Sequence, residues 1–499
     1  MVGGAMHRIH CLALGLLLGV GFSAAVHAAQ PLPPPPFGLS EVRTGPEADQ
    51  RVAWWREARF GMFIHFGLYS VAGHGEWARF SERIPQRDYA RLAEHFTPDP
   101  KAPEAWVSVA REAGMKYMVL TARHHDGFAL FDSRANAFNS MRTAAHQDIV
   151  REFVDAARGG GMRVGLYYSP LDWRFPGYFF PDLYLESAEA MRDQYHREIE
   201  QLASDYGKLD LVWFDGGGEQ WLGFGGLEFD WASWKSRDRN KPYSGAFSWQ
   251  DDLVAGRLRQ LQPRILINDR TSAPADWRTR EGADRLGEFD NGQPWELCVT
   301  LAGAWGYQPG AQPRSLRELV LLLTNTAVRD GNLLLNVGPA PDGQIPADQV
   351  ARLQELGRWL QSHGKAIYGT RGGPFLPTAQ MGSTRVGKTI YLHLTPGAEE
   401  TAPPGSIVVP DFPGGPKLRR ARVLGAAADL PMRRAQDSGV RVELRGTTLG
   451  DPTVIVELTY EGSVMGLPIA SLDERVRSIS SPCCNSFRRF SFSPRALRF

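Results

Sequence analysis

The sequence of 499 residues has only four cysteines, and its formal net charge is +1. Cys483 and Cys484 are adjacent and Cys11 lies near the start, so the cysteines indicate neither a disulfide framework nor the CxxC spacing of a zinc site. The balanced charge gives no basis for a nucleic-acid or anionic-membrane partner. The chain must therefore fold around its own hydrophobic core, and its length predicts a large domain followed by a smaller one.

One long apolar run stands at the N-terminus. It spans residues 11–22, follows a positively charged start and precedes a small-residue cleavage site at residues 26–28. The run is too short to cross a bilayer comfortably. We therefore predict a signal peptide at residues 1–28, export to the periplasm or out of the cell, and no membrane anchor after the signal is removed. A proline-rich linker is predicted at residues 29–49.

Between residues 50 and 369, short apolar runs alternate with amphipathic stretches of helical period. Continuously apolar runs are typical of strands buried on both faces. Their alternation with helices over about 250–300 residues predicts an α/β fold, a (β/α)₈ TIM-like barrel. An open, doubly wound sheet is the alternative that periodicity leaves open. The predicted strands are 61–66, 117–121, 163–169, 209–214, 264–268 and 333–337, and the predicted helices include 148–161, 187–206, 315–328 and 347–363.

The pattern changes after residue 369, where short strand-like runs are separated by loops rich in Gly, Pro and Ala. They predict a C-terminal β-sandwich over residues 370–462. The sequence beyond loses its periodicity, so residues 463–499 are predicted to be a disordered tail. The predicted strands of the sandwich are 389–394, 406–409, 441–445 and 453–459.

Polar side chains follow the predicted barrel strands at the points where these strands end. The C-terminal ends of barrel strands meet at one rim, where the βα-loops build the active site. We therefore expect these side chains to share one site. They are His65 after the first strand, His124 and His125 after the second, Asp215 after the fourth and Arg270 after the fifth.

Asp215 lies in the run WFDGGG of residues 213–218. A carboxylate at the end of a rigid strand, followed by glycines that allow a ligand to approach, suits a nucleophile in glycosyl transfer. A turn or helix-capping aspartate is the plain alternative. The position at the rim and the adjacent Trp213 favour the catalytic interpretation.

His124, His125 and Asp126 could bind a metal, act as a general base or bind sugar hydroxyls. Adjacent residues of an extended segment point in opposite directions, and the pair lacks the i, i+4 spacing of a helical zinc site, so we favour hydroxyl recognition. Glu76 and Trp77 lie in a glycine-rich loop, where Trp can stack on a sugar face while Glu accepts from its hydroxyls.

Double displacement at a glycosidic bond needs a second carboxyl group about 5–5.5 Å from the nucleophile. The segment after Arg270 is rich in loops and in acids, and the residues alone do not choose among them. The candidates are Asp276, Glu281, Asp284, Glu288 and Glu296.

In addition to these residues, the sequence resembles the α-L-fucosidases of glycoside hydrolase family 29 over about residues 54–369. Each matching stretch is modest alone, but their order and spacing together are highly specific. The stretches are FGMFIHFG (60–67), GEW (75–77), TARHHDGF (121–128), YYS (167–169), WFDG (213–216), PWELC (294–298), WGY (305–307) and NLLLNVGP (332–339).

The resemblance implies a retaining exo-glycosidase that releases α-L-fucose from fucosylated glycans by double displacement, with no metal and no cofactor. It implies that Asp215 is the nucleophile. The family's acid/base usually ends a Gly-Asp-aromatic-x-Thr-Pro-Glu pattern, which residues 275–281 (ADWRTRE) match with Ala for Gly and Arg for Pro. This makes Glu281 the predicted acid/base, with Glu288 and Glu296 as alternatives. The residues implied to bind fucose are His65, Glu76, Trp77, His124, His125, Trp213 and Arg270.

Two other functions remain open from the sequence. A non-catalytic fucose-binding homologue would keep the pocket but lack the acid/base, and the imperfect match before Glu281 leaves room for it. A metal-dependent barrel hydrolase would use residues 124–126, although the first strand end lacks a His-x-His pair. An aromatic insert at residues 220–250 is predicted to shape a leaving-group subsite. Its rings are Trp221, Phe224, Trp231, Trp234 and Trp249.

Overall fold

The structure is a computed structural model that describes residues 40–217, 222, 245–395, 405–435, 439–444 and 452–472. The predicted signal peptide, most of the aromatic insert and the tail beyond Leu472 lie outside these ranges. Within them, every helix is too short or too polar to cross a membrane.

Eight parallel strands curl into a TIM-like barrel. These strands are β1 (Phe60–Ile64), β2 (Tyr117–Arg123), β3 (Arg163–Tyr168), β4 (Leu211–Phe214), β5 (Leu266–Ile267), β6 (Arg278–Glu281), β7 (Trp295–Thr300) and β8 (Asn332–Val337). Neighbours pair in the order β5-β4-β3-β2-β1-β8-β7-β6. The two edge strands meet through one parallel bridge between Asn268 and Trp277. Since the strands follow chain order around the ring, the predicted barrel is confirmed and the open sheet is wrong.

Helices connect most of the strands and cover the barrel. In the helix from Ile149 to Gly159, the Asp148 side chain accepts from the backbone N–H of Arg151, and Phe153 lies on the buried face. The helices are α1 (Pro46–Ala58), α2 (Leu68–Ala72), α3 (Ala78–Ser81), α4 (Gln86–Ala90), α5 (Ala102–Glu112), α6 (Ile149–Gly159), α7 (Pro176–Phe179), α8 (Leu185–Asp205), α9 (Asp251–Leu261), α10 (Leu316–Val328) and α11 (Ala347–His363), with short 3₁₀ helices at Arg91–His95, Ser140–Arg142, Ala283–Arg285 and Gly364–Ala366.

The sequence did not predict β6 and β7, although it predicted the other six strands of the barrel. The residues of β6 read RTRE, and β7 carries the polar Glu296, so neither is a continuous apolar run. No α-helix precedes or follows β6: residues 268–277, all described, are irregular, and residues 282–294 contain only a 3₁₀ turn. The strand-helix alternation therefore fails here, and with it the sequence signal.

The C-terminal strands form the predicted β-sandwich. They are β9 (Arg371–Gly372), β10 (Met381–Val386), β11 (Thr389–Leu394), β12 (Ser406–Val409), β13 (Leu418–Val423), β14 (Met432–Arg434), β15 (Val440–Glu443) and β16 (Val454–Tyr460). A five-stranded sheet has the order β13-β16-β11-β10-β9, and a three-stranded sheet has the order β12-β15-β14. Leu392 and Val456 of the first sheet share one hydrophobic core with Ile407 and Val442 of the second.

Two predicted boundaries are corrected by packing. The linker was predicted to reach residue 49, but Val42 is buried and pairs with Ala275, and α1 begins at Pro46. The tail was predicted to start at residue 463, but Val464 and Leu472 are buried in the core of the sandwich. Both segments are short and have no periodic pattern of apolar residues. Their burial therefore depends on tertiary contacts that the sequence does not reveal.

Candidate active site

A cavity of about 230 Å³ lies at the C-terminal rim of the barrel. Its wall contains the predicted nucleophile, the predicted acid/base and all seven residues that the resemblance implied to bind fucose. They are His65, Glu76, Trp77, His124, His125, Trp213, Asp215, Arg270 and Glu281. Among the described residues, four further members of the wall were not predicted: Phe63, Tyr167, Cys298 and Trp305.

The two-residue repeat of side-chain direction along a strand would have predicted two of these four residues. Phe63 precedes His65 by two positions, and Cys298 follows the strand residue Glu296 by two positions. Residues two apart on a strand point to the same side, so the partner of an inward-facing polar residue also faces inward. Trp213 and Asp215 obey the same rule.

Three neutral imidazoles form one side of the cavity. The His124 and His125 rings lie 4.1 Å apart between centroids, and His65 lies 5.6 Å from His124. Burial lowers the pKa of His65 and of His125 to about 3, and it lowers the pKa of His124 well below the usual value. Each ring is therefore uncharged at neutral pH and offers one donor and one acceptor nitrogen.

Asp126 does not join the adjacent histidines in a common site. Its carboxylate accepts from the Tyr89 hydroxyl at 2.7 Å and from the backbone N–H of Phe128 at 3.2 Å. It is not part of the cavity wall. Across the described ranges, no group of three or more His, Cys, Asp or Glu side chains is placed to hold a metal ion. The arrangement therefore does not favour the predicted alternative of a metal site at residues 124–126.

Arg270 joins two carboxyl groups inside the cavity. Its Nη1 donates to Asp215 Oδ1 at 2.9 Å, and its Nη2 donates to Glu281 Oε2 at 2.7 Å. Burial lowers the pKa of Arg270, but the carboxylates of Glu281 and Asp215 outweigh it and hold that pKa above its usual range. Because Nη1 and Nη2 share one carbon atom, the two carboxyl groups lie beside each other on one cation.

Asp215 is held by three groups. Besides the bond to Arg270, its Oδ2 accepts from the Tyr167 hydroxyl at 3.0 Å and lies 3.5 Å from His125 Nε2. The backbone N–H of Asp215 donates to the Tyr168 carbonyl at 3.1 Å, which extends the pairing of β3 and β4 to the rim. The side chain keeps 17 % of its surface exposed, so it is fixed in direction yet open to a ligand.

The other candidate acids have different surroundings. Asp276 is buried before the start of β6, where it binds Arg51 of α1 and Arg259 of α9. Asp284 and Glu288 are exposed and outside the cavity wall. Of the five candidate acids, Glu281 alone shares the cavity with Asp215.

Glu296 lies buried beneath the cavity, inside the barrel. Its carboxyl oxygens accept from the Tyr117 hydroxyl at 2.5 Å and from Trp213 Nε1 at 3.0 Å. Burial raises the pKa of Glu296 to about 7, although these hydrogen bonds oppose the shift. Glu296 thus fixes the Trp213 indole, over whose face the Arg270 guanidinium lies at 5.1 Å from the ring centroid.

The raised pKa of Glu296 predicts a change of stability with pH. The pKa of an unfolded glutamate is about 4.3, so between about pH 4 and pH 7 the folded protein binds the extra proton and its stability falls as pH rises. Glu296→Gln stays neutral. We expect its free energy of unfolding, relative to wild type, to increase by up to roughly 1.4 kcal/mol per pH unit across this window. Urea unfolding at pH 5, 6, 7 and 8 measures the difference, and parallel curves would contradict it.

Glu76 and Trp77 complete the wall from the loop after β1. Glu76 Oε2 accepts from the backbone N–H of Gly306 at 2.8 Å, and burial raises the pKa of Glu76. The Trp77 ring lies 5.3 Å from His125 and 5.1 Å from Trp173. Together with Trp213 and Trp305, this ring gives the cavity apolar faces among its polar groups.

A buried ionic network supports the histidines from behind. The Arg123 guanidinium binds Asp172 and lies 3.4 Å from Glu198, and it donates to the Tyr168 hydroxyl at 3.2 Å. Ser169 Oγ lies 2.7 Å from His125 Nδ1. The ends of β2 and β3 are therefore tied together directly below the rings that face the cavity.

The cavity combines two carboxyl groups bound to one arginine with neutral imidazoles and indoles, at the C-terminal rim of a barrel. This arrangement is typical of a glycoside hydrolase. A sequence profile of the Alpha-L-fucosidase family matches residues 43–365. Tissue alpha-L-fucosidase of Macaca fascicularis is 30 % identical over 71 % of this chain and 76 % of its own, and the Homo sapiens enzyme is 29 % identical over 86 % and 92 %.

Solved structures agree with these sequence matches. Alpha-L-fucosidase isoenzyme 1 from Paenibacillus thiaminolyticus is 29 % identical, with a TM-score of 0.66 over 83 % of this chain and 100 % of its own. The Thermotoga maritima alpha-fucosidase is 26 % identical, with a TM-score of 0.64 over 82 % and 96 %. The chain therefore belongs to the alpha-L-fucosidase family, as its motifs predicted, and it is a glycoside hydrolase.

Proposed function

We propose that this protein removes α-L-fucose from the ends of fucosylated glycans by double displacement, with Asp215 as nucleophile and Glu281 as acid/base. The observation that carries the proposal is the pair of bonds from Arg270 to both carboxyl groups. Retaining glycosidases hold their carboxyl groups about 5–5.5 Å apart, whereas inverting enzymes leave about 6.5–9.5 Å for a water molecule. Two carboxyl groups that share adjacent nitrogens of one guanidinium favour the shorter spacing.

In the first step, an oxygen of Asp215 forms a bond to the anomeric carbon while the bond from that carbon to the leaving oxygen breaks. Glu281 gives its proton to the leaving oxygen. Arg270 and Tyr167 hold the attacking carboxylate in direction throughout. In the second step, water attacks the anomeric carbon, its proton passes to Glu281, and the bond to Asp215 breaks.

The exposure of the two acids supports this division of roles. The side chain of Glu281 is 31 % exposed, compared with 17 % for Asp215. An acid/base must reach the leaving group and later the incoming water, both of which enter from the open side of the cavity. A nucleophile needs only the sugar, which lies deeper.

We assign the recognition of fucose to the remaining wall of the cavity. Neutral imidazoles, a buried glutamate and an arginine suit the hydroxyls of a sugar, and indole faces suit its apolar C5 methyl group. The methyl group alone is worth about 1–3 kcal/mol of discrimination against galactosides. These residues are His65, Glu76, Trp77, His124, His125, Trp213 and Arg270.

We also propose that the protein is exported, to the periplasm or beyond the cell, because of the signal-peptide pattern at residues 1–28. The barrel of residues 50–369 carries the chemistry in this proposal. The described residues of the sandwich that follows do not line the cavity.

The proposed function is tested with a panel of nitrophenyl glycosides, while the first anomer released is followed by ¹H NMR. We expect hydrolysis of the α-L-fucoside with α-L-fucose as the first product, slower hydrolysis of galactosides, and activity that survives exhaustive chelation. β-L-Fucose as the first product would contradict retention. Fucose binding without release of nitrophenol would instead support the non-catalytic homologue.

A further inference from the structure

Asn336 lies behind the cavity and was not among the predicted site residues. It is the fifth residue of β8, is almost completely buried, and stands opposite Phe63 in the pairing of β1 with β8. Both ends of its side-chain amide are hydrogen-bonded. The amide nitrogen Nδ2 donates to the Trp305 carbonyl at 2.7 Å, and the amide oxygen Oδ1 lies 2.7 Å from His65 Nδ1.

These two bonds determine which nitrogen of His65 carries the proton. A backbone carbonyl only accepts, so the amide end that faces Trp305 must be the NH₂ group. The end that faces His65 is then the oxygen, which also only accepts. His65 Nδ1 must therefore carry the hydrogen, and in a neutral ring Nε2 then has the lone pair.

The same asparagine also holds the wall beside His65. The peptide between Trp305 and Gly306 is bound on both sides, because its carbonyl accepts from Asn336 and its N–H donates to Glu76 at 2.8 Å. The Trp305 indole lies 5.2 Å from the His65 ring. One amide thus fixes an imidazole and the adjacent indole at once.

We propose that Asn336 is a positioning residue that holds His65 as a hydrogen-bond acceptor, so that the site requires a sugar hydroxyl that donates to His65 Nε2. The inference rests on the proposed function for the identity of the sugar. Beyond that function, the direction of one hydrogen bond is specified: the sugar hydroxyl donates and His65 Nε2 accepts. Fluorine cannot donate a hydrogen bond. A fucoside in which fluorine replaces the hydroxyl that donates to His65 should therefore bind more weakly.

The surroundings of His65 keep its ring uncharged at working pH. What can differ is which of the two ring nitrogens carries the proton. Its ring contacts the imidazole of His124, the phenol of Tyr167 and the apolar rings of Phe63 and Trp305, and the imidazole of His125 shares the cavity with it. Burial lowers the pKa of His65 to about 3, although the bond to Asn336 opposes this. The charged groups that share the cavity with it are Glu76, Asp215, Arg270 and Glu281.

The first test needs no turnover. The full chain is labelled with ¹⁵N-histidine, and the His65 signals are assigned by their loss in His65→Gln. We expect Nδ1 to be protonated and Nε2 to be unprotonated in the wild type, and a mixture of tautomers in Asn336→Leu, which keeps the volume but removes the acceptor. Protonated Nε2 in the wild type would overturn the proposal, whatever the protein hydrolyses.

The second test uses the pH profile. Asn336→Asp places a carboxylate against His65 Nδ1, so it favours the imidazolium and the acid limb of kcat/KM moves to higher pH. The shift should vanish in the double variant with His65→Gln. Asn332→Asp is the matched control, because Asn332 lies on the same buried strand but its amide donates to the Trp55 carbonyl at 2.6 Å.

For Asn336→Leu we expect KM for nitrophenyl α-L-fucoside to rise about five- to tenfold, with a smaller change of kcat, because one ground-state hydrogen bond is weakened. The wild type should also discriminate against one member of a series of deoxyfluoro fucosides, and Asn336→Leu should lose that discrimination. An acid limb of folded Asn336→Asp that coincides with the wild-type limb would refute the positioning role.

Discussion

Asp215→Gly is expected to lower kcat for nitrophenyl α-L-fucoside about 10⁴-fold or more, because the variant lacks the carboxylate oxygen that we propose forms the bond to the anomeric carbon. The change leaves a space bordered by Arg270 Nη1, the Tyr167 hydroxyl and His125 Nε2, which now lack their carboxylate partner. A cationic and donor-rich space of this kind suits a small anion. Added azide should therefore restore part of the activity.

The product of that rescue is as informative as its rate. Azide that occupies the place of Asp215 attacks from the same face, and no second displacement follows, so the product should be β-L-fucosyl azide. Asp284→Gly removes an exposed acid of the same chain and should hydrolyse at the wild-type rate. Near-normal turnover of Asp215→Gly would remove this residue from the nucleophile's role.

The parts of the barrel that the sequence predicted share one physical property. Strands such as β1 and β4 are buried on both faces and carry no polar side chain, so their apolar runs can be recognised without any tertiary information. β5 has only two residues, because the Asn268 side chain, and not its backbone, bonds to the Phe214 backbone N–H and carbonyl. Side-chain bonds of this kind leave no periodic trace in a sequence.

The site residues were predictable for a different reason. A parallel barrel brings every C-terminal strand end to the same rim, so a polar residue just after an apolar run is placed without knowledge of its contacts. This rule found His65, His124 and Asp215. It could not find Tyr167 or Asn336, which lie inside strands and are polar members of otherwise apolar runs.

The uncertainty over the acid/base had one structural source, the unrecognised strand β6. Glu281 is the last residue of that strand, at the same rim position that selected Asp215 after β4. Glu296 is the second residue of β7, near the opposite end of the barrel, where its side chain points inward below the cavity. Once β6 and β7 are placed, the rule for strand ends separates these two acids.

Glu281→Ala should therefore act on the leaving group in a way that Glu296→Gln does not. Without a proton donor, departure of a poor leaving group loses about 10²–10⁴-fold, whereas a dinitrophenolate or fluoride leaves with little help. We expect kcat/KM of Glu281→Ala to fall steeply as the pKa of the leaving phenol rises across a series of aryl α-L-fucosides. For Glu296→Gln, and for Glu288→Gln at an exposed position, the slope should match that of the wild type.

Azide distinguishes the two carboxyl groups that we propose to be catalytic within one experiment. In Glu281→Ala, Asp215 still forms the fucosyl-enzyme, and azide takes the place of water in the second step, so the product should be α-L-fucosyl azide. Asp215→Gly gives the opposite anomer by a single displacement. The same azide product from both variants, or an equal loss for all leaving groups in Glu281→Ala, would contradict the assignment. Because the two carboxyl groups share Arg270, a general disturbance of the site would affect both variants in the same way. Opposite anomers of the azide product can arise only if the two carboxyl groups lie on opposite faces of the sugar.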